Sequence, residues 1–367
     1  MSQPIFIVLA EGKLGLETSK TAASVVRYLP DRVAALVDSR HAGRTAQEVL
    51  GCGGAIPVVG SLSAARVLSG REPRALLVGI ANRGGTLPPE LRPVLLEAVD
   101  AGLDVWCGLH ERLADDEELA ARARESGVRL VDLRDPPDHL PVGTGLALET
   151  TAFRVLTVGT DCNVGKMTAS LEIRRALRKR GVKARFAGTG QSGIVIDGAG
   201  IPVDAVVSDF VSGAAERITL EAAEGAEVVL VEGQGSLFHP GYSAVTLGLL
   251  HGSMPHAMIL CWMPGRRRVY GGGYGWLELP SPAQAIAAYE AAMQWAAPQL
   301  DSRVIGLSAN TYDLPEDEAR RWVEEAGRAT GLPSTDPVRF GAGDLAEAVE
   351  QARPSRADGR EGRQSPS

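Results

Sequence analysis

"FRVLTVGTDCNVGKMTASLEIRRALRKRG", residues 153–181, decides how the chain reads. The apolar run 153–159 predicts a buried strand, and it leads straight into a glycine loop. The loop Gly159-Thr160-Asp161-Cys162-Asn163-Val164-Gly165-Lys166-Met167-Thr168 then opens a helix with basic residues in its last turn and Gly181 as its cap. Strand, glycine loop, lysine, helix is the arrangement in which backbone N–H groups cradle phosphate oxygens. Gly159 and Gly165 permit the tight wrap, and Lys166 brings a point charge to the anion.

One part departs from a nucleotide hydrolase. Directly after the lysine, where a hydroxyl usually holds magnesium, stands Met167. A thioether does not replace a hard oxygen ligand. Thr168 lies one residue on, about 100° further round the helix, so magnesium is retained only with rearrangement. The loop keeps its phosphate-binding parts and weakens its part in metal-assisted phosphoryl chemistry. A diphosphate-bearing carrier such as coenzyme A fits that combination better than a hydrolysed triphosphate.

The same alternation of strands and helices extends outward in both directions. Before the loop, "IFIVLA" (5–10), "VAALVD" (33–38), "ALLVGI" (75–80), "LDVWCGL" (103–109) and "VRLVDL" (128–133) read as buried parallel strands with helical segments between them. "RDPPDHLPVGTG" (134–145) breaks the pattern, because its prolines continue neither a helix nor a central strand. After the loop, "EVVLVEGQG" (227–235), "AMILCW" (257–262) and "RVIGLSAN" (303–310) are further strands. The expectation is α/β with two doubly wound domains: a Rossmann-like domain over 1–140, a P-loop domain over 150–350, and a disordered tail over 353–367.

Composition narrows the function classes. Net charge is −7, from 38 basic and 45 acidic side chains, which gives no reason to expect nucleic acid. No apolar run reaches the roughly 20 residues that span a bilayer, so no membrane partner is expected. The start has no signal-peptide pattern and the four cysteines have no metal-ligand spacing, which points to a reducing, cytoplasmic setting.

Candidate chemistry follows the second strand of the second half. Glu232 stands just past it, with Gly233 and Gly235 letting backbone approach a ligand closely. Acyl transfer to an amine needs a base of near-neutral pKa and donors aimed at the developing oxyanion. His239 is the candidate base, Ser243 or loop amides the donors, and His251 a second histidine that also reads as a helix-end cap. Cys162, beside a helix N-terminus, could carry an acyl group or simply pack the loop. In the first half, "AEGKLG" is not a dinucleotide fingerprint although Asp38 ends the second strand, and Gly84-Gly85 near Arg83 could form an anion nest.

The blocks "VLAEGKLGLETSKTA", "DSRHAGRTAQEVLG", "GLHERLADD", "TVGTDCNVGKMTASLE", "GTGQSGI", "SDFVSGAAE", "VEGQGSLFHPGYSAVTLGLLHGS" and "GLPSTDPVRFG" resemble, in order and over nearly the whole chain, domain-of-unknown-function family 1611. Its characterised members are D-glutamate N-acetyltransferases. The resemblance implies a Rossmann-like and a dethiobiotin synthetase-like P-loop domain, acetyl-CoA as donor and a D-amino acid as the small-molecule acceptor. It also implies an enolase-superfamily pathway partner, and a homo-oligomer is expected. It places the cofactor phosphates on Gly159–Thr168, with Asn310 near the adenine. Thr189, Gln191, Ser192, Gln234 and Tyr242 would line the acceptor site with Glu232 and His239. One block departs: after Cys261 the family often continues His-Glu, whereas this chain reads Trp262-Met263 and then "PGRRRVYGGGYGW". Arg266, Arg267 and Arg268 could clamp a carboxylate or a 3′-phosphate there, or form a solvated loop. The alternatives are an ATP/magnesium-dependent kinase or ligase of the dethiobiotin synthetase type, and a nucleotide sensor without turnover.

Overall fold

The computed structural model describes residues 4–68, 71–81 and 85–354. It divides into two compact units. Unit 1 holds residues up to Pro137 together with Gly190–Ala205, and unit 2 holds Asp138–Thr189 and the chain from Val206 onward.

Unit 1 contains strands β1 (Phe6–Leu9), β2 (Val33–Val37), β3 (Val58–Val59), β4 (Ala75–Val78), β5 (Asp104–Cys107) and β6 (Leu130–Asp132) in the order β3-β2-β1-β4-β5-β6. All neighbours are parallel. β1, β2 and β4 are buried at every position, as continuous apolar runs covered on both faces must be. The helix Gln191–Asp197 belongs to this unit although it follows the P-loop strand in sequence. It is fixed there by Gln191, which accepts from Arg134 Nη1 at 3.2 Å, and by Ser192 Oγ, 3.0 Å from Thr21 Oγ1.

Unit 2 contains β7 (Phe153–Gly159), β8 (Ala184–Ala187), β9 (Val228–Val231), β10 (Ala257–Trp262), β11 (Arg303–Ala309) and β12 (Ser334–Thr335) in the order β12-β11-β10-β7-β9-β8. These neighbours too are parallel. The order reverses beside β7: β8 and β9 lie on one side, β10 to β12 on the other. Open parallel sheets bind ligands outside the carboxyl ends of their strands at such a switch point, and here the loop after β7 occupies it. The helix Lys166–Lys179 buries Ile173 and Leu177, spaced four apart, against the sheet core of Phe153, Val155, Val228 and Ile259, while Ala169, a turn earlier, packs with Val164 and Cys261. Two earlier expectations fall outside the described residues: the nest residues Arg83 and Gly84, and the tail from residue 355. Gly85 is described; its φ is +62° and a Cβ would sit 1.9 Å from the His110 ring, so it serves a close contact. Arg353, placed in the tail from sequence, is tied to Glu227 at 3.2 Å.

β7 carries a charge that its apolar pattern hides. Arg154 is fully buried, and its Nε donates to the carbonyls of Ser253 (3.1 Å) and Met254 (3.0 Å), where the helix Ser243–Ser253 ends. Its backbone N–H donates to His256 Nδ1 at 3.1 Å, and that ring stacks on Phe153 at 5.0 Å. Burial, then the Arg154 charge, push His256 down from the ordinary 6.5 to about 4. The folded ring therefore stays neutral where the unfolded one takes a proton, and stability falls as pH drops from about 6.5 towards 4. After allowance for solvent screening the loss is about 1–2 kcal/mol. Thermal unfolding of the His256→Gln variant is expected to depend less steeply on pH across that window than wild type. Equal slopes would remove His256 from the acid response.

Candidate functional site

The sheet of unit 2 gathers the site residues along one edge by register alone. Cys261 pairs with Gly159, Leu156 with Val231 and Trp262 with Ala309, so the residues after β7, β9, β10 and β11 emerge side by side. Backbone bonds extend the edge by one step: Thr160 N–H to Cys261 O (3.0 Å), Asn310 N–H to Trp262 O (2.9 Å) and Glu232 N–H to Ala187 O (3.0 Å).

The loop itself is wound tightly. Asn163 (φ +57°) and Gly165 (φ +96°) are left-handed, the conformation from which successive N–H groups build an anion nest. Lys166 is buried and its Nζ donates to the Asp161 carbonyl at 2.9 Å. Burial pushes its ammonium below the usual lysine range, opposed by the charges of Cys162, Cys261, Asp161 and Glu232. The Asn310 side chain lies beside the loop, 3.8 Å from where a Cβ on Gly165 would stand. Val164 is buried, Thr160 nearly so, and Met167 and Thr168 are half-buried on the first helical turn.

Two side chains hold the loop and a third braces the strand that feeds it, and sequence reasoning missed them. Tyr289, fully buried on the helix Pro282–Ala296, donates its hydroxyl to Gly159 O at 2.7 Å, and Ser236 Oγ donates to the same carbonyl at 2.9 Å. Thr157 Oγ1 accepts Gly233 N–H at 3.0 Å. Gly233 must be glycine, since a Cβ would lie 1.7 Å from Thr157 O. No motif marks Tyr289, which sits among alanines more than a hundred residues from the loop it holds.

Glu232 is buried, accepts Thr189 N–H at 2.9 Å through Oε2, and its carbonyl accepts Thr189 Oγ1 at 2.7 Å. Gln234 Nε2 donates to Thr189 Oγ1 at 3.3 Å, so Thr189, Glu232 and Gln234 form one cluster in unit 2. Gln191 and Ser192, expected beside them, belong to unit 1 and are engaged there as described. Asp38 likewise resembles a ribose-binding acid only in position. It is fully buried, accepts Gly12 N–H at 2.6 Å and pairs with the His41 ring.

The turn Ser236–Tyr242 brings His239 onto the loop. Asp161, Cys162 and His239 each offer a ligand atom within 4.8 Å of the others. His239 is nearly inaccessible, and its ring lies 4.6 Å from that of Tyr242 and 4.8 Å from that of Tyr274. Its Nδ1 accepts Gly241 N–H at 3.1 Å, which leaves the neutral ring's proton on Nε2. Ser243 opens the next helix half-buried, Tyr242 is 55% exposed, and His251 is exposed in that helix's last turn.

The loop after β10 is not a solvated appendage at Arg266. The Arg266 guanidinium donates to Cys162 O at 2.9 Å, lies 3.5 Å from Asp161 Oδ2, and its side chain is 16% exposed. Tyr270 N–H donates to the same Asp161 oxygen at 2.7 Å, and Cys162 N–H to the other at 2.7 Å. Arg268, by contrast, is exposed and its guanidinium donates to Gly275 O, 2.7 Å away in its own loop. The Asp161 carboxylate is thus committed to two N–H groups and a guanidinium. The Asp161–Cys162–His239 trio is therefore poorly suited to a cation, and Met167 supplies no oxygen for magnesium.

Residues 141–346 match a P-loop domain described as a domain of unknown function, DUF1611_C. Residues 39–136 match the corresponding Rossmann-like domain, DUF1611_N. The chain belongs to the DUF1611 family. A relative in Tritonibacter scottomollicae, named D-glutamate N-acetyltransferase, is 40% identical over 75% of this chain and 81% of its own length. One in Pseudoalteromonas with the same name is 36% identical over 74% of this chain and 80% of its own. A crystal structure of a DUF1611 protein from Anabaena variabilis superposes with a TM-score of 0.88 at 35% identity, covering 95% of this chain and all of that one. Among the described residues, no helix is long and apolar enough to cross a membrane.

Replacing Tyr289 by Phe removes a buried donor from Gly159 O and leaves Leu237 N–H without its acceptor. The variant is expected to lose about 1–3 kcal/mol of stability and to bind CoA more weakly. Calorimetric unfolding and a CoA titration check both; unchanged values would make the tyrosine a bystander.

Proposed function

We propose that this protein transfers the acetyl group of acetyl-CoA to the amine of D-glutamate. The observation that carries the reading is the P-loop of unit 2, which retains the anion cradle and Lys166 while Met167 stands in place of the magnesium-binding hydroxyl. The names of the relatives, matched over three quarters of the chain, supply the acceptor and the reaction class.

The cradle chemistry fits a diphosphate: left-handed Asn163 and Gly165, the helix beginning at Lys166, and the buried ammonium all favour negative charge. Gly159 to Thr168 would hold the phosphates, with Asn310 beside the loop. CoA supplies an activated acetyl thioester. In the transfer the amine nitrogen bonds to the thioester carbonyl carbon, the C–S bond breaks, and the amine's proton balances the departing thiolate as free CoA thiol. Glu232, Gln234 and Thr189 form a polar cluster beside the loop, with the Glu232 carboxylate among the charges around Lys166, and it therefore lies at the phosphate end of the cofactor. The described cysteines carry no disulfide, which agrees with a cytoplasmic setting.

Incubation with acetyl-CoA and D-glutamate is expected to release free thiol in an amino-acid-dependent manner, with no ADP formed from ATP and magnesium. Lys166→Ala should lower turnover at subsaturating acetyl-CoA by about tenfold or more, the loss of a charge-assisted contact. ADP formation without thiol release would overturn the assignment in favour of a kinase or ligase.

A further inference from the structure

Two roles compete for His239, and the geometry separates them. A base for amine attack must reach the amine nitrogen where it meets the thioester carbon. The thioester, however, lies at the far end of the long pantetheine arm from the diphosphate. If the Gly159–Thr168 loop holds that diphosphate, a side chain touching the loop stands at the wrong end of the cofactor for acetyl chemistry.

His239 is such a side chain. One of its ring nitrogens lies within 4.8 Å of a carboxylate oxygen of Asp161 and of Cys162 Sγ, both inside the loop. The ring is also in the wrong tautomer for a base at Nε2. Nδ1 takes the Gly241 N–H at 3.1 Å, so Nε2 carries the proton and can only donate while the ring is neutral. Tyr242 and Tyr274 flank the ring at 4.6 and 4.8 Å and restrict its rotation. The charges around it complete an anion site: buried Lys166 and the Arg266 guanidinium are nearby, and Asp161 is already committed to Tyr270, Cys162 and Arg266.

We infer that His239 is a diphosphate ligand, donating from Nε2–H to the anion on the P-loop, and that it does not act as the base in acetyl transfer. This rests on the acetyl-CoA reading above and extends it. It moves the reacting centre away from the loop, to the distance the pantetheine arm spans.

The experiment compares His239→Ala and His239→Gln with wild type, all checked for folding by circular dichroism. Glutamine keeps an N–H donor of similar reach but cannot accept the amine's proton near neutral pH. One readout is calorimetric binding of ADP, a diphosphate with no acetyl group. The other is acetyl transfer from acetyl-CoA to D-glutamate. The expected result is about tenfold weaker ADP binding and a comparable rise in KM for acetyl-CoA in the alanine variant. Both should be largely restored in the glutamine variant, with kcat and its pH profile near wild type throughout. Overturning results are ADP binding unchanged by His239→Ala, no ADP or CoA binding by wild type, or a kcat collapse shared by both variants with loss of a pH limb. Should wild type bind ADP in a His239-dependent way yet transfer no acetyl group, the ligand assignment stands and the proposed function falls.

Discussion

A buried ammonium must be paired, and that requirement organises the carboxyl edge of the second sheet. Lys166 cannot reach water. Its Nζ turns into its own loop to the Asp161 carbonyl, with the carboxylates of Asp161 and Glu232 as the surrounding negative charge. The loop must then close tightly enough to offer that carbonyl. This explains why Gly159 is anchored by Tyr289 and Ser236, why Gly233 has no space for a Cβ, and why Asn163 and Gly165 adopt left-handed conformations. The same closure presents backbone N–H groups and one positive charge to an incoming anion.

An anchor of this kind serves catalysis indirectly. Interactions far from the reacting bond supply binding energy that fixes the orientation of the distant acetyl group. Nothing in the loop then has to assist phosphoanhydride cleavage, which is consistent with Met167 at the hydroxyl position and with an Asp161 carboxylate already occupied by Tyr270, Cys162 and Arg266. Arg266 illustrates how the divergent segment after Cys261 has been used. It braces the P-loop through Cys162 O, and only its exposed neighbours are free to meet solvent.

Much of this was legible in the sequence, because long parallel strands buried on both faces read as uninterrupted apolar runs. β7 and β10 were located to the residue, and the glycine loop after β7 announced the second domain's class. β3 and β12, two residues each, are too short to carry a pattern, and β8 is interrupted by exposed Arg185. The helix Gln191–Asp197 reads as part of the second half because it directly follows β8; its membership of unit 1 depends on Thr21 and Arg134, contacts no local pattern encodes. Tyr289 was invisible for the same reason. His239 was found by residue type, but its tautomer is set by Gly241 N–H, a turn-level detail that only coordinates reveal. Arg154 sat in plain view within an apolar strand, and its partners lie a hundred residues away at a helix end.

The central claim is that the Gly159–Thr168 loop grips a carrier's diphosphate and leaves it intact. Phosphorus-31 NMR of CoA titrated with the protein tests this most directly. The account predicts that the diphosphate resonances shift or broaden on binding to wild type, that Lys166→Ala abolishes the change, and that both resonances are recovered undiminished after acetyl transfer. Acetyl transfer proceeding with the diphosphate resonances unperturbed would contradict it.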